Sequence, residues 1–539
     1  MISGLIHTVF EQQAEALGNR IAIEEEAEQI SYSSLNSQSN QLSHLLTSLG
    51  IGRDKSVVVM LPSGIQLVSS MLAIFKAGGI YVPADILFAR RRLQQLFRET
   101  NPQVLIAVSE HRDQVIQMLG DVQAQVPNLL LFGGSDNSLL GGLQIDSGGL
   151  IGMEKPEPEL LELKNDGTYK TSTKKLSQYP VHNPALDIDN EAANYIFYTS
   201  GSTGNGKGIV GSHRSLTHYV HWHIREFNIT EGDRISQLAP VTFDASLKDI
   251  LPALCAGATL CIPSPHRRRN MGLLAEWLPN ATVLQTVPSM FRLITRSLQQ
   301  PLPRLRQVVL AGERLFGRDV TKWKEVNGTT ARISNLYGLT ETTILKSCYH
   351  VEQKEWQAGE VIPVGYPISN TMLAVLNEDE VCEEGEIGEI YIKTPFMTRG
   401  YLDQSLNETM FVQNPLVSDR RDIVCRTGDI GRWRSDGSLE VLGRKDEQVK
   451  IHGVRVELNE VRKAVLEVEG TEQVELVVHQ DEEYGQELIA YYTGQKRTAE
   501  AWRLELSATL NEQLMPGYFV WLQEFPLNIN GKVDRKQLP

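Results

Sequence analysis

The chain has 539 residues, 41% of them hydrophobic and 22% charged, with a formal net charge of −14. That length exceeds one hydrophobic core, so two or more domains are expected; the composition is that of a soluble globular enzyme, and the acidic balance argues against a nucleic-acid partner. No apolar run reaches the roughly 18 residues of a membrane span, Met1-Ile2-Ser3-Gly4 does not begin a signal peptide, and the five scattered cysteines point to a reduced, cytoplasmic setting with buried thiols.

In chain order, Leu5 to Leu17 has the spacing of an amphipathic helix, and Ile21-Ala22-Ile23 with Ile30-Ser31-Tyr32 that of a short hairpin. A second helix is predicted from Tyr32 to Leu49, a buried strand at Val57-Val58-Val59-Met60 and a third helix from Gly64 to Ala77. Gly78-Gly79 caps that helix before a strand at Ile80-Tyr81-Val82-Pro83. Strands alternating with helices predict a parallel, doubly wound sheet. Between 133 and 190 Gly, Ser, Asp, Lys and Pro dominate, and a long surface excursion is expected. Arg90-Arg91-Arg92 and Arg267-Arg268-Arg269 read as solvated or salt-bridged surface, and His218, His221 and His223 as a helix face without metal-ligand spacing.

Residues 191–440 alternate again and then turn β-rich: Val375 to Lys393, with a turn at Glu383-Glu384-Gly385, is predicted as antiparallel strands of a small barrel-like subdomain. A boundary near Gly443-Arg444-Lys445-Asp446 gives a core of 1–444 and a small α+β domain of 445–539. The latter should run strand (447–451), hairpin, helix (458–468), strands (473–479 and 487–493), helix (500–513) and a last strand near Phe519-Val520-Trp521.

Tyr198-Thr199-Ser200-Gly201-Ser202-Thr203-Gly204-Asn205-Gly206-Lys207-Gly208 lies between two apolar, β-rich runs, where a mere Ser/Gly linker would not sit. Its glycines allow bare N–H groups to approach an anion, and Thr199, Ser202, Thr203 and Lys207 add donors for phosphate oxygens. Gly201 to Lys207 fits G-x-x-x-x-G-K, but Gly208 replaces the Ser or Thr that the Walker loop uses for magnesium, and a strand rather than a helix follows. A second stretch, Asn335-Leu336-Tyr337-Gly338-Leu339-Thr340-Glu341-Thr342-Thr343, offers a flat ring, a hydrogen-bonding edge and one carboxylate. Alone it could be a capped helix start; beside a triphosphate Glu341 would need an intervening cation, which implies Mg2+. In Arg426-Thr427-Gly428-Asp429 a carboxylate follows a glycine turn; a lone Asp there can simply cap structure, yet a buried one suits ribose hydroxyls.

The first stretch resembles the phosphate loop of adenylate-forming enzymes, Y-T-S-G-S-T-G-x-P-K-G, with Asn205-Gly206 in the x-Pro place. Lys76 to Pro83, the 335–343 stretch, Arg426 to Asp429, Gly443 to Glu457 and Pro526 to Arg535 are similar to further motifs of the same family, in the family's order. The chain thus resembles adenylation domains of nonribosomal peptide synthetases, within the acyl-CoA synthetase and luciferase superfamily. The resemblance implies two doubly wound α/β subdomains and a β-barrel-like one, followed by a small mobile α+β domain. It implies ATP and Mg2+ as cofactors, with Thr199, Ser200, Gly201, Ser202, Thr203, Gly204, Lys207, Gly312, Asn335, Tyr337, Gly338, Asp429 and Arg444 around the nucleotide and Glu341 on the metal. Thr340, Glu341 and Lys532 would act in adenylation, Asp446 as the hinge, and Lys450 in a second, thiol-transfer orientation.

By the same resemblance Asp244 pairs with a substrate ammonium, favouring an amino acid, and the pocket is lined by Asp244, Ala245, Lys248, Thr286, Val309, Ala311, Leu336, Ile344 and Leu345. Most are small or apolar, which suits a small hydrophobic side chain. Lys248 could meet an acidic substrate or turn away to Asp249; the second is preferred. Ala311 and Leu336 are similar to the pocket of free-standing proline-activating ligases, such as that of cyanobacterial anatoxin biosynthesis, so proline is the lead substrate. The chain stops soon after Lys532 without carrier-protein sequence, so a separate phosphopantetheinylated carrier protein is the expected partner. An acyl-CoA ligase using free CoA, a non-catalytic homologue and a segment cut from a multimodular synthetase are the rival readings.

Overall fold

The structure is a computed structural model that describes residues 4–26, 28–133, 157–199, 206–445, 448–481, 485–507, 509–526, 533 and 535–539. Ile65–Lys76 is apolar almost all round, and a helix of that kind must be covered on every side; nearly all its residues are buried. It lies in a helical layer with Ile6–Ala16, Tyr32–Ser48, His213–Glu226 and Ala245–Cys255, and one continuous core joins these helices to residues of two large sheets.

The first sheet has eight strands in the spatial order 207–212, 193–199, 80–83, 56–60, 104–108, 128–132, 159–163, 169–171. Its middle is parallel, as the helix–strand alternation predicts, and its edges are antiparallel. The last two strands correct the expected surface excursion: Glu159–Leu163 pairs with Asn128–Phe132 and buries Leu160 and Leu161, so leucines among charges continue the sheet. Residues 134–156 lie outside the described residues.

The second sheet has nine strands, ordered 366–367, 347–350, 332–337, 307–311, 283–286, 234–236, 259–262, 21–25, 28–31. The predicted hairpin near the amino terminus is present, but it joins this sheet, through Ile23 opposite Leu260, rather than the sheet built by the residues that follow it. A six-stranded antiparallel sheet follows, including Met372–Asn377, Gly388–Lys393, Ile423–Trp433 and Leu439–Arg444. Beyond it, Gln448–Ile451 and Val454–Glu457 form a hairpin, and Thr471–Asp481, Gly485–Gly494 and Tyr518–Trp521 a three-stranded sheet. The last predicted helix is shorter than expected, Ala499–Leu506; Leu510 and Leu514 keep a helical spacing and are buried, but from a turn and a short 3-10 segment.

Four of the free cysteines are buried, while Cys348 is partly exposed, which corrects the expectation for that one. Arg91 and Arg267 are in ion pairs, with Glu467 at 3.6 Å and Glu26 at 2.9 Å. Among the described residues no helix is long and apolar enough to cross a membrane.

Candidate active site

Parallel strands place ligands at their carboxyl ends. Here Val283–Thr286, Gln307–Ala311 and Arg332–Tyr337 end side by side, with Ala311 opposite Leu336. Gly312 follows with φ +96°, a left-handed conformation that frees the turn. After Tyr337 the chain doubles back so tightly that a Cβ on Gly338 would stand 2.4 Å from the Leu345 Cα, so only glycine fits.

A cavity of about 340 Å³ opens there, lined by Gly312, Asn335, Tyr337, Gly338, Asp429, Arg444 and Lys450 among others. Tyr337 donates its hydroxyl to Asp429 Oδ2 at 2.6 Å, and Arg444 Nη1 donates to Asp429 Oδ1 at 3.0 Å. Burial and the neighbouring Asp429 push the Tyr337 hydroxyl well above its usual range. Asn335 spends its amide nitrogen on the carbonyls of Ile362 and Pro363, at 3.1 and 3.0 Å, and keeps Oδ1 buried without a hydrogen-bond partner. Burial lowers the Lys450 ammonium, against the opposing pull of Asp429.

Asp244 leads the helix Ala245–Cys255, close enough to Lys450 of this cavity for their charges to interact. Its Oδ2 is buried with no hydrogen-bond partner, and burial pushes the carboxyl up to about 6 despite Thr340 beside it. Lys248, on the same helix, is 2.7 Å from Asp249 Oδ1 with both side chains buried. Val309, Ala311, Leu336, Ile344 and Leu345 are buried in the common core, Thr286 closes its strand nearby, and Ala245 is half-buried. Two further residues here carried no sequence signal. Gln285, opposite Val309, donates to the Lys248 carbonyl at 3.2 Å. Lys346 follows Leu345 with Nζ buried and unpartnered, and burial pulls it down to about 7.

At the other end, Ala193–Thr199 and Lys207–Ser212 pair antiparallel, the two strands expected on either side of the loop. Thr199 Oγ1 is buried without a partner, whereas Lys207 Nζ lies 3.6 Å from Glu457 Oε1. Glu341 is fully buried. Its Oε1 accepts from Tyr401 at 2.5 Å and from Arg455 at 2.8 Å, while Oε2 has no partner. Burial alone would raise this carboxyl, but the Arg455 guanidinium and the Tyr401 hydroxyl hold it below the ordinary range. The open Oε2 fits a hard cation, which takes oxygen ligands. Ser200, Gly201, Ser202, Thr203, Gly204, Asp446 and Lys532, all named from the sequence, lie outside the described residues. His218, His221 and His223 form no metal-ligating group among the described residues; Glu226, Cys348 and His350 come within 4.8 Å of one another, with His350 already bonded to Glu226 and Ser334.

Residues 10–402 match the model of the AMP-binding enzyme family, and the chain belongs to that family. Tyrocidine synthase 1 of Brevibacillus parabrevis is 32% identical over 99% of this chain and 45% of its own length. Gramicidin S synthase 1 of Brevibacillus brevis is 31% identical over 99% of this chain and 44% of its own. The chain therefore spans less than half the length of these curated relatives. Among solved structures, the Vibrio cholerae adenylation domain AlmE in complex with glycyl-adenosine-5'-phosphate superimposes with a TM-score of 0.79 at 23% identity, over 99% of this chain and 97% of that one. Holo-PA1221, a nonribosomal peptide synthetase protein with adenylation and PCP domains, does so at 0.76 and 21%, over 99% of this chain and 83% of that one. The fold is that of adenylation domains, with the half-barrel sheet and small carboxyl-terminal sheet in place.

Proposed function

We propose that this chain activates an amino acid: carboxylate and MgATP give an aminoacyl adenylate and pyrophosphate, and the aminoacyl group then passes to the phosphopantetheine thiol of a carrier protein. The observation that carries the reading is the Asp244 carboxylate oxygen, buried without a hydrogen-bond partner and within electrostatic reach of Lys450, which lines the cavity with Asn335, Tyr337 and Asp429. An ammonium ion is the group that repays such a site, because a buried charge is tolerable only when paired. Tyr337 would stack on the base, Asn335 Oδ1 accept from its exocyclic amine, and Asp429 with Arg444 hold the ribose.

Glu341, with Thr340 beside it, would hold Mg2+, which supplies charge neutralisation on the phosphates. Thr199, the loop through 204 and Lys207 would grip those phosphates, and Lys532 would bridge the reacting carboxylate. No protein nucleophile is required: positioning and electrostatics suffice. Lys450 lines the nucleotide cavity, the arrangement expected for thiol transfer; residues 1–444 would form the core and 445–539 the mobile part, with Asp446 as its hinge. Lys248 already has a partner in Asp249, so an uncharged small side chain fits, and proline leads the candidates.

Amino-acid-dependent ATP–pyrophosphate exchange over the twenty amino acids tests the reading. A peak at proline is expected. A peak at glutamate or aspartate keeps the reaction and overturns the pocket assignment, and no exchange with any amino acid overturns the reading.

A further inference from the structure

The strand Ser347–His350 turns Cys348 and His350, two residues apart, to one face. The helix His213–Glu226 ends against that face, and its last residue, Glu226, accepts from His350 Nε2 at 2.7 Å. One ligand atom from each of Glu226, Cys348 and His350 lies within 4.8 Å of those of the other two. A hydrogen-bonded Glu–His pair needs no metal, and a thiol alone can serve as a small apolar group. Sulfur, imidazole and carboxylate in one corner are, however, the ligand types that zinc takes. The imidazole is also held from behind. Ser334 Oγ, directly opposite on the neighbouring strand, stands 2.8 Å from His350 Nδ1, and Gln307 on the next strand donates to the same hydroxyl oxygen at 2.9 Å. A fixed partner on the second ring nitrogen is what orients a metal-ligating histidine. The Glu226 and His350 side chains keep 33% and 25% of their surface exposed, so an ion can enter from solvent.

We propose that Glu226, Cys348 and His350 bind a borderline-soft divalent cation of the zinc class, with a water as fourth ligand, and so clamp the end of this helix to the strand. Ligand atoms of a tetrahedral zinc site stand roughly 3.3–3.6 Å apart at ordinary bond lengths, so the three groups need to close by no more than about 1 Å. On binding, Cys348 gives its thiol proton to water and coordinates as the thiolate. His350 coordinates through Nε2, exchanging its hydrogen bond with Glu226 for the ion, and its ring proton sits on Nδ1, facing Ser334 Oγ. Arg332, exposed at the start of the adjoining strand, is a cation near the group, and the two anionic ligands outweigh it. Magnesium does not suit this corner, because hard cations take oxygen ligands; its chemistry therefore differs from that proposed at Glu341. Glu226 and His350 lie 124 residues apart in sequence and meet only in the folded chain, so binding stabilises the fold. The inference does not depend on the function proposed above.

The test is titration of the untagged, chelator-treated full chain with cobalt(II), a spectroscopic stand-in for zinc. A thiolate-to-cobalt charge-transfer band and the intense visible bands of four-coordinate cobalt should appear and saturate at one ion per chain. Zinc should abolish them, and excess magnesium should leave them. Cys348→Ser should lose the charge-transfer band. Ser334→Ala should keep it and weaken zinc by about 10- to 100-fold in calorimetry, as expected of a residue that only orients the imidazole, and His350→Gln should weaken zinc further. Zinc should raise the unfolding temperature of the parent and not that of Cys348→Ser. The metal-free parent and Cys348→Ser should unfold at similar temperatures, which separates loss of the ligand from loss of the fold. Cobalt bound without a thiolate band, as at an all-oxygen site, overturns the proposal. So does the same band in Cys348→Ser, or the parent's zinc affinity in His350→Gln.

Discussion

The proposed amino-acid pocket and the proposed phosphate corner handle charge in opposite ways. In the pocket, Lys248 finds its counter-ion on the next residue, and the pair is fixed further by Gln285 and by the Leu238 and Ala239 N–H groups on Asp249. Two charged groups, Asp244 Oδ2 and Lys346 Nζ, are left over without hydrogen-bond partners among the described residues. In the phosphate corner, Lys207 and Glu341 find theirs on a strand far along the chain. Local pairing makes a pocket whose shape and charge are set once. Distant pairing makes a corner whose neutrality depends on where another part of the chain sits. In the function proposed here, selectivity would need the first, and a two-step reaction would gain from the second.

The sharpest way to break this contrast is Asp244→Asn. The left-over carboxylate is the one the pocket holds for a ligand, so its removal should lower kcat/KM for the amino acid by about 10²- to 10³-fold, the cost of truncating one side of a buried charge pair. Thermal stability at pH 7.5 should hold or rise, since the fold already resists ionising this carboxyl, raised to about 6 by burial. In the parent enzyme the same shift predicts that KM for the amino acid climbs as pH falls through about 6, where the carboxylate takes up a proton. A flat KM between pH 5 and 7 would remove Asp244 from substrate binding.

How much of this contrast could be read from the chain follows from the range of the interactions. The two strands at 193–199 and 207–212 were legible because β-branched and aromatic runs flank a glycine-rich stretch. The hairpin at 21–31 was legible as a hairpin, but its place beside Thr259–Ile262 depends on a long-range pairing that no local pattern encodes. The helix expected over 500–513 was overextended because Leu506, Leu510 and Leu514 keep an apolar period after the backbone has left the helix. Within the site, Lys248 and Asp249 are neighbours, so their pairing could be anticipated. Arg455 could not be connected with Glu341, because alternation along Val454–Glu457 gives a face and not a partner.

A smaller effect separates local from distant pairing on the pocket side. Asp249→Asn strands the Lys248 ammonium in the core and should cost about 3–5 kcal/mol of stability, the usual price of breaking a buried pair from one side. It also leaves a free cation at the pocket wall, so exchange with glutamate and aspartate should rise relative to the parent's best substrate. An unchanged substrate profile together with an unchanged melting temperature would mean that Lys248 has other partners and that the pocket is not sealed by this pair.

The smallest effect concerns Lys346, the buried ammonium group that has no hydrogen-bond partner at all. Burial pulls it down to about 7, from an ordinary lysine value of 10.5. The unfolded chain therefore holds a proton that the folded chain gives up between those values, and stability should increase as pH rises from 7 towards 10. Lys346→Met removes the group and its desolvation cost together. Its apparent unfolding temperature at pH 7.5 should exceed the parent's by about 1 °C, as a change near 1 kcal/mol would give in a domain of this size. The increase with pH should flatten in the variant. If the parent shows no such pH dependence, Lys346 has a partner in solution, and the pocket then contains one left-over charge, Asp244, where two are inferred.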